Sequence, residues 1–382
     1  MKKILLHIGS PKCGSSSIQS SLSSDNRLCR DQSTDIKYVA IRAGGKVLSG
    51  QEIVHARQVA PSRYIASFNI EKLLPDQYTA VISALKSILD NTDTLIFSCE
   101  GWLAQYDKIN QSNIFQSLDC SVEAVCLVRP HCKLLNSAWW QWGAWDTSRT
   151  FDSWVRWYMQ GINLAPKLTQ WSSSNWIEKL HVLPLANAVD QIYELLELAP
   201  PKISSINKSL PGEILRLYQR HRQLRSAPHN PSSDFVLERQ AIGDRPTPWV
   251  LSESQIEHVL QHTASDTENL LSFMTSPDQE RVKSNPEWWS SKAYRDKIVE
   301  EPEPQAPSAT EIDKIAARMA ERLIALDIQN ARLRAEKSNI QKENDMLKKA
   351  RSALKTENQT LKSTIAKNHQ KRAGIWRFLA KL

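Results

Sequence analysis

Apolar residues gather along this chain in three short runs and one long periodic stretch. KKILLHI, near the N-terminus, reads as a short strand; GSPKCGSSS behind it gives a tight turn, and IQSSL continues a helix that begins among serines able to cap it. TDTLIFSCEGW (residues 92–102) and SVEAVCLVRP (residues 121–130) are two further runs of strand type, with helix-like stretches between them. Both end in polar residues, at Glu100 and Arg129. This alternation predicts an α/β domain whose parallel sheet is flanked by helices. In such a sheet the C-terminal strand ends line one edge, where ligands bind, so Lys12, Glu100 and Arg129 are expected to converge there.

The long periodic stretch lies at the other end. Met319, Leu326, Leu333, Ile340, Leu347, Leu354 and Leu361 recur every seven residues, which predicts a coiled coil. The second seam position carries Leu323, Asn330, Lys337, Asn344, Arg351, Asn358 and Ile365. Asparagine there suits a parallel pair of helices bonding across the axis, so a homodimer is expected. Before it, VEEPEPQAPSA is proline-rich, acidic and without periodicity, the make-up of an extended linker. The expected organisation is a globular domain over residues 1–298, a Pro/Glu-rich linker over 299–310, a parallel coiled coil over 311–366 and a basic amphipathic tail over 367–382.

Charge changes the picture once it is divided. The formal net charge is +8, yet residues 310–382 hold 17 Lys+Arg against 8 Asp+Glu, leaving 32 against 33 for the rest. The basicity belongs to the terminal segment. A zipper that binds DNA needs a basic helix running straight into it, whereas an acidic, proline-rich segment precedes this one, so no nucleic-acid partner is expected. In KNHQKRAGIWRFLAKL, Ile375, Phe378, Leu379 and Leu382 share one helix face beside five Lys/Arg. Two readings stay open for it: a segment lying on an anionic membrane surface, or a frayed basic zipper end.

At 41% hydrophobic and 24% charged, the 382 residues have the make-up of a globular chain. No apolar run approaches the roughly 18 residues of a membrane span, and a glycine loop rather than a cleavage site follows ILLHI, so a cytoplasmic location is expected. The six cysteines show no CxxC pairing or close histidine partner, which favours free thiols over disulfides or a metal site.

The loop itself needs explaining. GSPKCGSSS has a Gly-x-x-x-x-Gly frame, but Ser15 stands where a nucleotide hydrolase has its lysine, and the cation is Lys12, inside the loop. A nucleoside-triphosphate loop needs the lysine after the second glycine and a Ser/Thr beside it for magnesium, so the spacing argues against ATP hydrolysis.

LHIGSPKCGSSSIQ resembles the 5′-phosphosulfate loop of sulfotransferases that use 3′-phosphoadenosine 5′-phosphosulfate (PAPS), with Cys13 in place of the usual Thr or Ser. VRPHCKLLNSAWWQ is similar to that family's second motif, a strand-end arginine followed eight residues later by a serine; here these are Arg129 and Ser137, with Trp139 two residues beyond. The resemblance covers residues 1–215, its last part resting on Asn207 and Ser209 in INKSLPGEILRLY. It implies a P-loop-like parallel sheet, and it places Lys12, Cys13, Gly14, Ser15, Ser16 and Ser17 around the 5′-phosphosulfate and Arg129 with Ser137 on the 3′-phosphate. It requires no metal, and its product nucleotide is 3′-phosphoadenosine 5′-phosphate (PAP). A lysine at position 12 suits the charge that builds on bridging and leaving oxygens in sulfuryl transfer, and backbone N–H groups at a helix N-terminus suit a phosphate.

An acceptor hydroxyl or amine must lose a proton, so a base is needed near the sulfur. Glu100 is the first candidate and His55, in SGQEIVHARQ, the second, since family members use a glutamate or a histidine; a capping or solvated acid and a surface helix residue are their bland alternatives. Cys13 at a helix N-terminus invites a nucleophile reading, against a steric stand-in for Thr or Ser. Eight of the thirteen tryptophans fall between Trp139 and Trp176; these are expected mostly in the core, with Trp142 or Trp145 touching an acceptor. The reading is a sulfotransferase acting on a glycan or glycolipid. Its alternatives are an atypical P-loop kinase or hydrolase, and a non-catalytic coiled-coil scaffold.

Overall fold

The computed structural model describes residues 2–29, 35–146, 148–201, 210–225, 234, 237 and 245–379, with side chains as far as residue 365. Asn207, Ser209 and the side chains of the basic tail lie outside the described residues. The chain divides into two compact units, Met1–Ile312 and Asp313–Leu382.

The first unit is α/β. Its strands are β1 (Lys3–His7), β2 (Ile36–Ile41), β3 (Val47–Ser49), β4 (Thr94–Ser98), β5 (Ser121–Val128) and β6 (Lys179–Pro184), in the order β3-β2-β4-β1-β5-β6. All neighbours pair in parallel except β2 with β3. The three apolar runs of the sequence form the centre of the sheet, β4-β1-β5. Strands buried on both faces read as continuous apolar runs, which is why these three stand out. β2 and β6 are less legible because each begins in partly covered or exposed positions.

Side chains of β1 alternate between two cores, as a pleated strand requires. Ile4, Leu6 and Ile8 pack on one face with Phe97, Trp102, Phe115 and Trp171, while Leu5 packs on the other with Ile18, Leu22, Tyr38 and Ile192. Register places His7 beside Ser98 on one side and beside Val125 on the other. The chain leaves β1 for β2 and β4 on one flank and then crosses to β5 on the opposite flank, so its direction of winding reverses at β1. The crevice at such a reversal, outside the carboxyl strand ends, is where open α/β sheets bind ligands.

The acidic, proline-rich segment falls in the first unit, strapped to the helix Gly212–Arg220. The buried Arg216 donates to the carbonyl oxygens of Glu301 and Glu303 at 2.6 and 2.8 Å and pairs with Glu300 at 3.1 Å. Gln219 donates to Pro302 O, and Arg220 to Gln305 O. The second unit is the bulk of one helix, Ala309–Leu379, on which the heptad residues from Met319 to Leu361 are exposed. No described helix is long and apolar enough to cross a membrane.

Candidate functional site

The loop behind β1 is held in shape by two glycines and one strained lysine. Gly9 has φ +63°, and a Cβ there would stand 2.7 Å from the Glu100 Cα, so the loop after β4 can approach only a glycine. Gly14 has φ +83°, and a Cβ there would meet the Ala188 Cβ at 2.6 Å. Lys12 itself takes φ +60°, a conformation that costs an L-residue on the order of 1–2 kcal/mol. That turn aims its backbone at two partners: the Lys12 N–H points to Glu100 Oε1 at 3.4 Å, and Arg129 Nη1 donates to the Lys12 carbonyl at 2.9 Å. The loops after β1, β4 and β5 therefore meet, and Lys12, Glu100 and Arg129 come together as expected from the strand ends.

The helix Ser15–Ser24 follows Gly14 directly, with no side-chain hydrogen bond at its N-cap and no acidic residue in its first turn. Its leading N–H groups and the positive end of its dipole are thus left to an anion. The Ser15 hydroxyl is buried without a hydrogen-bond partner among the described residues, and Ser16 Oγ accepts from the Tyr64 hydroxyl at 3.3 Å. Ser17 occupies the same turn.

Charge is crowded here. Burial pulls the Lys12 ammonium below its ordinary value, and Arg129 and Arg225 push the same way, while Glu100 and Asp234 oppose them. Burial raises the Glu100 carboxyl above the usual carboxylate range, with Lys12 opposing, which moves it toward the range of a working base. The Arg129 guanidinium is lowered by burial, and its Nε is buried with no partner among the described residues. Burial pushes the Cys13 thiol up to about 12, and the side chain packs in the core with Ile18 and Leu22. A protonated, enclosed thiol is a space-filler, not a nucleophile.

Ser137 lies half-buried on the helix His131–Gln141, which starts directly after the Arg129 strand end. His55 sits exposed on the helix Gln51–Val59, and no hydrogen bond or ion pair links it to the other site residues. Of the tryptophans, Trp102, Trp154 and Trp171 are fully buried, Trp145 lies buried beneath Arg225, and Trp142 is half-exposed.

No protein-family model, no curated protein and no solved structure matches this chain. The site is therefore read from its own chemistry.

Four residues join it that the sequence did not single out. Gln141 Oε1 accepts from Lys12 Nζ at 3.0 Å, and Gln141 stands four residues after Ser137, so helical spacing alone would have placed both on one face. Tyr158 stacks on Trp154 and Trp142 with ring centroids 4.9 and 6.0 Å apart. Burial raises its phenol, and the nearby Cys13 and Glu100 add to the rise. Its signal in the sequence was the four-residue step from Trp154. Arg225 and Asp234 form an ion pair at 3.0 Å and come from HRQLRSAPHNPSSD, a polar stretch with no motif spacing. Among the described residues, no cluster of three or more His, Cys, Asp or Glu is arranged to hold a metal ion.

Proposed function

We propose that this chain is a sulfotransferase that moves a sulfuryl group from PAPS to a hydroxyl or amine of a glycan or glycolipid. The observation that carries this reading is the 2.9 Å contact of Arg129 with the Lys12 carbonyl, which brings the two motif segments, 117 residues apart in sequence, side by side. A P-loop-like sheet is supported by the order β2-β4-β1-β5-β6, with the glycine loop behind the central strand. The fit to a doubly phosphorylated nucleotide rests on donors that lack partners among the described residues, namely Arg129 Nε and the Ser15 hydroxyl.

In this reading the first turn of Ser15–Ser24, with the hydroxyls of Ser16 and Ser17, binds the 5′-phosphate. Arg129 and Ser137 bind the 3′-phosphate, where a planar guanidinium provides paired donors. Glu100 takes the acceptor proton as the new oxygen–sulfur or nitrogen–sulfur bond forms. The sulfur–oxygen bond to the phosphate breaks, its electron pair leaves with PAP, and Lys12 stabilises the charge on that oxygen. The contacts of Glu100 with Lys12 favour it as base over the exposed His55, which has no such link to the loop. Trp142 and Tyr158 offer stacked aromatic surface for a sugar ring.

Calorimetry with PAP tests the reading. Wild-type protein should bind it without added metal, and Arg129→Ala and Lys12→Ala should each weaken binding at least about 10-fold, the loss expected for a hydrogen bond to a charged group. Binding of Mg-ADP that ignores Arg129, with no affinity for PAP, would replace this reading by an atypical P-loop kinase or hydrolase. With labelled PAPS and candidate glycans, Glu100→Gln should lower turnover by roughly 10²-fold or more, while His55→Gln leaves it unchanged.

A further inference from the structure

The C-terminus of the helix His131–Gln141 carries no basic residue in its own last turn, yet two cations from elsewhere converge on its final residue. Lys12 Nζ donates to the Gln141 side-chain oxygen at 3.0 Å, and Arg225 Nη1 points to the Gln141 backbone carbonyl at 3.4 Å. Unpaired carbonyls at a helix C-terminus form the negative end of its dipole and attract such groups. Arg225 has no freedom to withdraw: it is 2% exposed, its guanidinium lies 4.5 Å above the Trp145 ring, and its other arm pairs with Asp234 at 3.0 Å. Holding this buried cation beside a second one works against their mutual repulsion, and Asp234 offsets it.

We propose that Gln141 and the buried Arg225–Asp234 pair are positioning residues for Lys12, fixing its ammonium at the mouth of the loop and passing it to an incoming anion. A lysine stem loses rotamer freedom when it is fixed, and meeting that cost before the ligand arrives is the way a site is preorganised. Gln141 suits the task because its amide oxygen accepts the ammonium without cancelling its charge. The charged groups facing Lys12 are Glu100 and Asp234, which attract it, and Arg129 and Arg225, which repel it. Asp234 both balances Arg225 and draws Lys12 toward the same corner. The consequence for sulfuryl transfer rests on the donor reading above; the position of Lys12 does not.

The test reads Lys12 directly in the full-length protein, by competitive acetylation with acetic anhydride at pH 8 and peptide mass spectrometry, with the exposed Lys292 as reference. Gln141→Leu removes the acceptor and should raise Lys12 labelling by about 3-fold, the change that half a pKa unit makes in the amine fraction. Asp234→Asn should move it the same way. Gln141→Glu should move it the opposite way, since a carboxylate holds the ammonium more tightly. A residue that only filled space would give the same sign for Leu and Glu, and that result, or unchanged labelling in all three variants, overturns the proposal. PAP binding by the wild-type protein is measured beside it. If labelling responds and PAP does not bind, the donor reading falls and the positioning role stands; if PAP binds and labelling does not respond, the reverse holds.

Discussion

At the scale of single residues, the site sits over a buried histidine. His7 ends β1 directly before the loop, with Nδ1 against Ser98 Oγ at 2.7 Å and Nε2 buried without a partner among the described residues. Burial lowers its imidazole to about 4, so it stays neutral in the folded protein. An unfolded histidine titrates near 6.5, so between these two values the unfolded chain binds one more proton and stability falls as pH falls. The loss, complete once pH drops below the folded value, is at most roughly 3.5 kcal/mol, from about 1.4 kcal/mol for each pH unit between the two values. His7→Asn keeps a polar partner for Ser98 and removes the titration. Urea midpoints at pH 7 and pH 4.5 should therefore differ less in the variant than in wild type, and parallel losses would refute the account. Gln141, Arg225 and Asp234 show how far residue-scale reading reaches: their types are ordinary, and only their contacts with one another and with Lys12 make them a site.

At the scale of elements, a buried aspartate ties the helix His131–Gln141 to its surroundings. Asp266, on the helix Glu253–Leu271, accepts from Leu164 N–H at 3.0 Å and Ala165 N–H at 2.8 Å, capping the helix Ala165–Ser172. The same carboxylate meets His131 Nε2 at 3.0 Å, in the first turn of the helix that carries Ser137 and Gln141. Burial alone would raise its carboxyl, but the hydrogen bonds from His131 and the two N–H groups hold it below the usual aspartate range. Asp266→Ala leaves three buried donors unpaired and should cost roughly 3 kcal/mol of stability. Chemical denaturation of Asp266→Ala, His131→Ala and the double variant should give a coupling above about 1 kcal/mol, and additive losses would show that the contact is incidental. Several elements were readable in advance for a physical reason. β1, β4 and β5 are covered on both faces along most of their length and so each carries a continuous apolar run, and the terminal helix repeats every seven residues. The Asp266 cap was not readable, because its partners lie about 100 positions away.

At the scale of the whole molecule, the exposed stripe from Met319 to Leu361 asks for a partner. Heptad seams with intermittent asparagine pair with a parallel copy of themselves, so we propose a homodimer joined through this helix. Sedimentation of the full chain should give a dimer, and a chain ending at residue 312 should be a monomer that keeps PAP affinity. A truncated chain that still dimerises would move the interface elsewhere. The straps from Arg216, Gln219 and Arg220 onto residues 300–305 make residue 312, rather than residue 298, the physical end of the first unit. For the basic sequence of the final residues we propose contact with an anionic membrane surface, which binding of the full chain to anionic vesicles would read and a lack of binding would refute.

Local pattern by itself determined the α/β class, the strand–loop–helix at the N-terminus, the central strands and the long terminal helix, because each is set by the period of apolar positions over neighbouring residues. It also determined which cation the loop offers, since Lys12 is placed by the spacing of two glycines. Only the tertiary structure decided what surrounds that cation. Glu100, Arg129, Gln141, Arg225 and Asp234 reach Lys12 from separate loops and helix ends, and no periodicity links them. Their meeting is set by sheet order and by where each strand and helix stops. Burial then supplies the rest, because a charge removed from water responds to every neighbour within a few ångströms.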